Sequence, residues 1–372
     1  MKNAQLAATL SSIILALMTG AVILALSGFN PWASYINLLE GATGFDFSGG
    51  SRFFRIPSRL GATLNECGPL LFAALAVAIP WRLGWVNLGG EGQMIMGAAA
   101  ATFTALAMED IAGPFALLMA LLAAAAMGAF WSTLAAWMRI QKGMNEIITT
   151  IMLNFIAFWI IAWLVHGPMR DMESGMGHPW TRPVPDDSQL PLLGGKLRFH
   201  AGLLLAPLAA VGIWIWHTYR VSGFQSQVIG RSAQAARFAG FPVAQLERKA
   251  MAIGGGCAGL GGACALLGVQ FRLSEEVAFG YGFTGLTIAL AARSHPLLII
   301  PCAFFFSTLR TGAERMEFSA GIPQALAVIL QALVLFFLLI ALAPQWSRWW
   351  RERQTRLAAL AAAPTEKGAA DA

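Results

Sequence analysis

The chain has 372 residues, of which 57% are hydrophobic and 12% charged, with mean hydropathy +0.63 and net charge +6. Soluble domains carry about 25% charged residues, so this composition excludes an ordinary water-soluble enzyme and a disordered scaffold. What remains is a polytopic membrane protein, and its basic residues, mostly at the ends of apolar runs, read as topology signals and not as a nucleic-acid surface.

A spanning helix needs roughly 20 mostly apolar residues, and the chain offers ten candidates. The first covers Leu6–Ser27, preceded by Lys2. Its Ala25-Leu26-Ser27 end resembles a cleavage site, but the apolar run is long, and an uncleaved anchor is expected. The next four are Gly61–Pro80, Gly92–Met108, Phe115–Met138 and Glu146–His166. Ala201–Tyr219 and Ala250–Val269 follow, then Phe279–Ala292, Leu297–Thr311 and Ile322–Leu342. The expected fold is all-α, a transmembrane helix bundle of about ten spans, some of them short or broken at Gly or Pro. Three regions are expected: an N-terminal anchor and outer segment over 1–60, a transmembrane domain over 61–343, and a basic tail over 344–372.

With the N-terminus inside and ten crossings, 15 Lys and Arg fall on the inner side and 10 on the outer, Arg310 among the latter. The short connections Trp81–Gly90, Arg139–Asn145 and Ala292–Pro296 all carry Lys or Arg. This bias places both termini in the cytoplasm. Residues 167–200 then form a long outer loop, and Arg220–Lys249 an inner one with five basic residues and the single acid Glu247. Trp81, Trp85, Trp349 and Trp350 read as interfacial anchors.

Catalytic apparatus is absent. There is no GxxxxGK[ST], no HExxH, no CxxC pair and no Gly-x-Ser-x-Gly. The five histidines are scattered, and Cys67, Cys257, Cys264 and Cys302 sit in apolar surroundings as small packing residues. Gly280-Tyr281-Gly282-Phe283-Thr284-Gly285 matches GxGxxG literally, but it opens an apolar span and no acid follows until Glu314. The dinucleotide motif needs a preceding strand and an acid about 20 residues on, so these glycines are read as permitting a turn and close helix contact.

Polar groups in spans are costly and therefore informative. Asn65-Glu66 reads either as an interfacial helix start with an acid in its first turn or as a buried functional pair. Asn87, Glu91 and Gln93 flank Gly89-Gly90, which breaks any helix at about 1 kcal/mol per glycine. A break of this kind suits a discontinuous helix at a transport site, or a plain turn capping the next span. Asn145, Glu146, Thr149 and Asn154 line a third segment, where Asn145 and Thr149 share one helix face. A pathway wall and helix capping with interhelical hydrogen bonds are both open there. Gly255, Gly259 and Gly262 have the small-residue spacing that lets helix backbones approach, a packing role.

Ser232–Gly240 reads as a short Ala-rich helix ended by Gly240-Phe241-Pro242. WVNLGGEGQM, GMNEIITTIMLNFIA, AARFAGF followed by GLGGACALLG, and FGYGFTGLTIALAARSHPL occur in that order between about Leu60 and Leu342. Together they resemble the permeases of bacterial ABC importers, in the nucleoside and simple-sugar branch of the branched-chain amino acid/ribose-type permease family. The resemblance implies a multi-pass inner-membrane subunit without catalytic residues, metal or cofactor of its own. It would pair with a second related permease as a heterodimer, above a cytoplasmic ATPase that holds ATP and Mg, and would receive solute from an extracytoplasmic substrate-binding lipoprotein. It further implies a substrate pathway past Asn87, Glu91, Gln93, Asn145, Glu146, Thr149 and Asn154. Ala235, Ala236, Arg237 and Gly240 match the ATPase-coupling segment, and Arg231-Ser232 departs from the Gly and Asn that relatives often carry there. A nucleoside is the expected solute, with a pentose-type sugar as the alternative. A proton-coupled transporter using Glu91 or Glu146 is a more distant reading.

Overall fold

The computed structural model describes residues 2–45, 47, 56–111, 114–172, 177–278 and 280–342. The tail expected over 344–372, with Trp349 and Trp350, lies outside the described residues. Thirteen α-helices are described: α1 (Lys2–Leu26), α2 (Pro31–Thr43), α3 (Pro57–Trp81), α4 (Gly90–Ala107), α5 (Pro114–Lys142), α6 (Glu146–His166), α7 (Gly202–Tyr219), α8 (Val221–Arg231), α9 (Ala233–Phe238), α10 (Val243–Ala265), α11 (Tyr281–Ala291), α12 (Pro296–Ala320) and α13 (Gln324–Leu342). The strands described are β1 (Leu192–Leu193) and β2 (Phe199–His200), antiparallel with Leu192 opposite His200. The all-α expectation holds, and each of the ten expected spans coincides with a helix.

Six helices among the described residues are long and apolar enough to cross a membrane: α3, α5, α6, α7, α10 with its continuation to Gln270, and α12. α11 is a shorter apolar helix. α2 and α8 were not expected; α2 is too short to span alone and forms with the end of α1 an apolar pair bent by 116°, while α8 is more polar than a span.

The chain divides into two units, one of Trp32–Ala327 and one joining Met1–Pro31 to Val328–Ala372. Within the larger unit, α3 and α10 are central. Of their apolar stretches 78% and 72% are buried, against 33% for α5 and α6 and 28% for α7. The run of α3 from Gly68 to Pro80 is apolar on every face, the signature of a core helix, and is buried throughout. Pro57 sits in its first turn, where a missing N–H costs nothing.

Glycines set the distances between α4, α5 and α10. A Cβ on Gly259 would overlap the Ala124 carbonyl oxygen, and one on Gly262 the Met94 carbonyl oxygen. A Cβ on Gly128 would meet Gly255 and Gly259 across the same seam. Ser132 of α5 closes it with a 2.8 Å hydrogen bond to the Met251 carbonyl.

At one end of the bundle α10 widens into a π-turn over Leu266–Gln270 and stops at Phe271, held at φ +59°. The 177–200 segment straps this end. The N–H groups of Thr181, Val184 and Leu190 donate to the carbonyls of Leu273, Phe271 and Leu267 at 3.2, 2.8 and 2.9 Å. His200 is fully buried beside Gly268 of the π-turn. Its Nδ1 accepts from the Gly202 N–H at 3.1 Å, and its Nε2 has no hydrogen-bond partner among the described residues. Burial pushes this imidazole down to about 4. Above the ordinary value of 6.5 both folded and unfolded forms are neutral and stability is unaffected. As pH falls from 6.5 towards 4 the unfolded chain takes up a proton that the folded one resists. Up to about 3 kcal/mol is then lost. Thermal unfolding in detergent at pH 7.5 and 4.5 checks this: His200→Gln should lose less stability across that interval than the natural chain, and equal losses refute the assignment.

Candidate functional site

The polar residues of the bundle gather at the break before α4. Asn87 and Gln93 pair amide to amide, with Asn87 Nδ2 donating to Gln93 Oε1 at 3.0 Å and Gln93 Nε2 donating to Asn87 Oδ1 at 2.9 Å. Asn87 also donates to the Ala76 carbonyl at 3.1 Å and accepts from the Gly89 N–H at 3.0 Å. Asn154, from α6, spans the break: its Oδ1 accepts from the Gly92 N–H at 2.9 Å and its Nδ2 donates to the Leu88 carbonyl at 2.8 Å. Side chains thus satisfy the Leu88 carbonyl and the Gly89 N–H of the non-helical stretch before Gly90, the kind of compensation the bilayer demands of an interrupted span.

Glu91 leaves this knot and reaches α11. Its carboxylate accepts from the N–H of Gly280 at 2.5 Å and of Gly282 at 2.8 Å. The carboxylate therefore lies at two helix N-termini at once, in the first turn of α4 and on the first free donors of α11, where both dipoles favour negative charge. The approach requires glycine, because a Cβ on Gly282 would overlap the Glu91 backbone. Gly280, at φ +78°, starts α11. The GxGxxG pattern is a helix start capped by a carboxylate.

Next along α11, Tyr281 leads to a triad that the sequence did not show. Its hydroxyl donates to the Glu66 carboxylate, with oxygen distances of 2.9 and 2.8 Å. Arg310 of α12 places its Nε 3.3 Å from Glu66 Oε2, with its guanidinium carbon 4.3 Å from the Tyr281 ring centre. Two expectations are corrected here. α3 begins at Pro57, so Asn65 and Glu66 lie turns inside the helix and not at an interfacial start. Arg310, counted among the outer-loop charges, lies within α12 and is ion-paired. Its ion-pair partner Glu66 lies on α3, far away in sequence, and charge counting contains no information about pairing. Asn65 itself accepts from the His200 N–H at 2.8 Å, tying α3 to the strap.

The third expected segment lies at the opposite end. Asn145 is the N-cap of α6, accepting from the N–H groups of Ile147 and Ile148 at 2.9 and 3.4 Å. Thr149 donates back to the Asn145 carbonyl at 2.8 Å. Glu146 is ion-paired with Arg139 at the end of α5, and that guanidinium also lies 4.1 Å from the Trp85 ring centre. Trp85 is therefore buried under a cation, at 2% exposure, and the interfacial anchor expected of it is corrected. The structure brings Asn87, Glu91, Gln93 and Asn154 into one cluster and leaves Asn145, Glu146 and Thr149 in the α5–α6 turn.

The same end carries α8 and α9. Ser232 caps α9 by accepting from the Ala235 N–H at 3.2 Å. Ala236 is buried, while Ala235, Arg237 and Gly240 are exposed. Gly240 ends the turn at φ +76° with open space around it. Phe238 is 85% exposed, and Tyr219, Val221 and Phe224 add 71%, 74% and 61%. These exposed side chains lie next to exposed Arg220, Arg231 and Arg237.

Residues 60–339 match the family described as the branched-chain amino acid transport system permease component. Among curated relatives, the glucose ABC transporter permease protein TsgB13 of Haloferax volcanii is 36% identical over 299 residues, covering 76% of this chain and 77% of the relative. The guanosine ABC transporter permease protein NupP of Bacillus subtilis is 29% identical over 331 residues, covering 88% and 91%. The nucleoside ABC transporter permease protein NupB of Lactococcus lactis is 27% identical over 355 residues, covering 91% and 92%. With a family match across three quarters of its length, on a bundle of membrane-spanning helices, this chain belongs to the branched-chain amino acid transport system permease family.

Proposed function

We propose that this chain is the pore-forming subunit of an ATP-driven importer for nucleosides. It works beside a second, related permease, with a cytoplasmic ATPase that holds ATP and Mg and an extracytoplasmic lipoprotein that delivers solute. In this reading the chain lies in the inner membrane of a bacterium with both termini in the cytoplasm. The α8–α9 end faces inward and the 177–200 strap outward.

The observation that carries the reading is the α8–α9 surface. A short capped helix ending in Gly240, with Phe238 bare beside it, offers a rigid knob to a soluble ATPase. Ala235, Ala236, Arg237 and Gly240 form that knob. Movement there would reach the break before α4, because a Cβ on Gly230 of α8 would overlap the Arg82 carbonyl oxygen, a few residues before Asn87. Asn87, Glu91, Gln93 and Asn154 then hold the switching segment of the pathway wall. Asn145, Glu146 and Thr149 hold its inner rim.

Uptake of radiolabelled guanosine and uridine in cells having or lacking this chain tests the proposal. Expected is uptake that needs the chain, disappears on ATP depletion and survives a proton uncoupler. Uptake that follows the proton gradient at constant ATP overturns it. The relative named for glucose favours a sugar as the second reading, and chain-dependent uptake of a labelled pentose or hexose with no nucleoside uptake would establish it. Phe238→Ala should fold normally, since the ring touches little, yet lower ATPase co-purification about tenfold, as an exposed aromatic anchor does at about 1.4 kcal/mol. Undiminished co-purification would exclude this surface as the docking site.

A further inference from the structure

At the strap end of the bundle a cavity of about 660 Å³ opens between the 177–200 segment, the residues after the π-turn, and α12. This lies within the roughly 300–1,000 Å³ of small-molecule sites. Nothing described so far uses it. Its rim carries a stacked pair, His178 and Trp180, with ring centres 4.8 Å apart and planes at 21°. Arg310 contributes to its lining from α12. Nε of Arg310 is engaged by Glu66, and Glu314, one turn on in α12, sets a second negative charge near the same guanidinium. Its side chain keeps 26% of its exposure, so this fork of donors is neither sealed in nor free in solvent.

The charges of the lining select the class of solute. The cavity's other guanidinium, that of Arg272, is held by Asp171 at 3.1 Å. Two further carboxylates, Glu275 and Glu276, face the same space, the first with His166 Nε2 2.7 Å from its Oε1. Each cation already has its anion, and the surplus is acidic, so a phosphorylated or carboxylate solute is repelled. What the lining offers is an aromatic face and a planar donor fork. A flat face to stack and adjacent acceptors for a guanidinium are the features of a nucleobase, and a free sugar has no ring of that kind.

We propose that this cavity is the outer binding station for a neutral nucleoside, with Trp180 as stacking platform and Arg310 as polar contact. The inference rests on the permease reading and assigns the solute class to a place that reading left open. Geometry also links the station to the break before α4. Arg310 lies on the Tyr281 ring, and the two residues flanking Tyr281 donate their N–H groups to Glu91. A solute on Arg310 therefore acts on a residue in direct contact with the start of α11.

The test uses the full chain in nanodiscs and in cells with its partner subunits. Tritiated guanosine binding to the nanodiscs needs no ATP, so it is separate from transport. Trp180→Ala should weaken guanosine binding about tenfold, the scale of one lost base–aromatic stack, and raise the transport KM in step while kcat changes little. Trp180→Phe should restore most of it. Ser274→Trp fills the cavity from a half-buried edge without removing a member of either ion pair beside it, and should abolish binding with the protein at its normal membrane level. Binding by the natural chain that survives both Ser274→Trp and Trp180→Ala overturns the site. So does failure of the natural chain to bind guanosine or uridine at all. D-ribose or D-glucose competing as well as unlabelled guanosine overturns the nucleoside class. ATP-dependent uptake of some other solute, with no nucleoside binding, leaves the permease reading intact and refutes only this inference. Loss of ATP dependence with binding intact does the reverse.

Discussion

Gly259→Val is expected to leave little folded protein in the membrane. The new side chain would have to occupy the space of the Ala124 carbonyl, with the Gly128 Cα 3.2 Å from its first carbon and Gly97 of α4 pressed on the same residue. Relief requires moving α4, α5 and α10 apart along the seam that builds the core. A strained core substitution costs about 1–3 kcal/mol when neighbouring side chains can yield. Here the obstacles are backbone on two other helices, so the upper end or more is expected. Membrane-fraction abundance and the melting temperature in detergent measure it. Gly212→Ala is the control: nothing lies within 4 Å of its Cβ position on α7, and a helical Gly→Ala change should be neutral or slightly stabilising. If both variants melt alike, backbone proximity is not what the glycines of α10 provide.

The second large effect is expected at Glu91. Alanine there removes the acceptor of two backbone N–H groups, those of Gly280 and Gly282, in a place 9% exposed. A buried donor stranded in this way costs about 1–3 kcal/mol. Two of them, at the start of one helix, should loosen α11 and with it the Tyr281 contact to Glu66. Glu91→Gln keeps one carbonyl acceptor and should fall between. Hydrogen exchange at Gly280 and Gly282 separates this from a general loss of stability: in Glu91→Ala it should accelerate there before it does along α3 or α10. Unchanged protection at those two amides would show that the carboxylate does not hold the helix start.

Much of this was readable beforehand. A span is a local property, because twenty apolar residues need no partner to be recognised, and the ten expected spans fall on helices for that reason. Helix caps are local too, and Ser232 and Gly240 bound α9 where a hydroxyl and a left-handed glycine place its ends. The branch of the permease family was legible in four short motifs. The candidate site was legible only in part. Asn87, Gly89-Gly90, Glu91 and Gln93 stand together in the chain and were seen together. Glu66, Tyr281 and Arg310 were not, since each looks ordinary alone: an acid near a helix start, an aromatic in an apolar run, a basic residue counted for orientation.

Composition and apolar periodicity by themselves settled that this is an all-α membrane protein, because the cost of placing backbone and charge in a bilayer is paid residue by residue. Which polar groups meet was decided only by tertiary structure. The bonds of Glu91 to Gly280 and of Tyr281 to Glu66 join positions 189 and 215 residues apart. They exist because glycines let α3, α4 and α11 approach closely enough for short side chains to reach. The strap over the π-turn and the cavity beneath it have the same origin, in backbone groups that find each other only once the helices have packed.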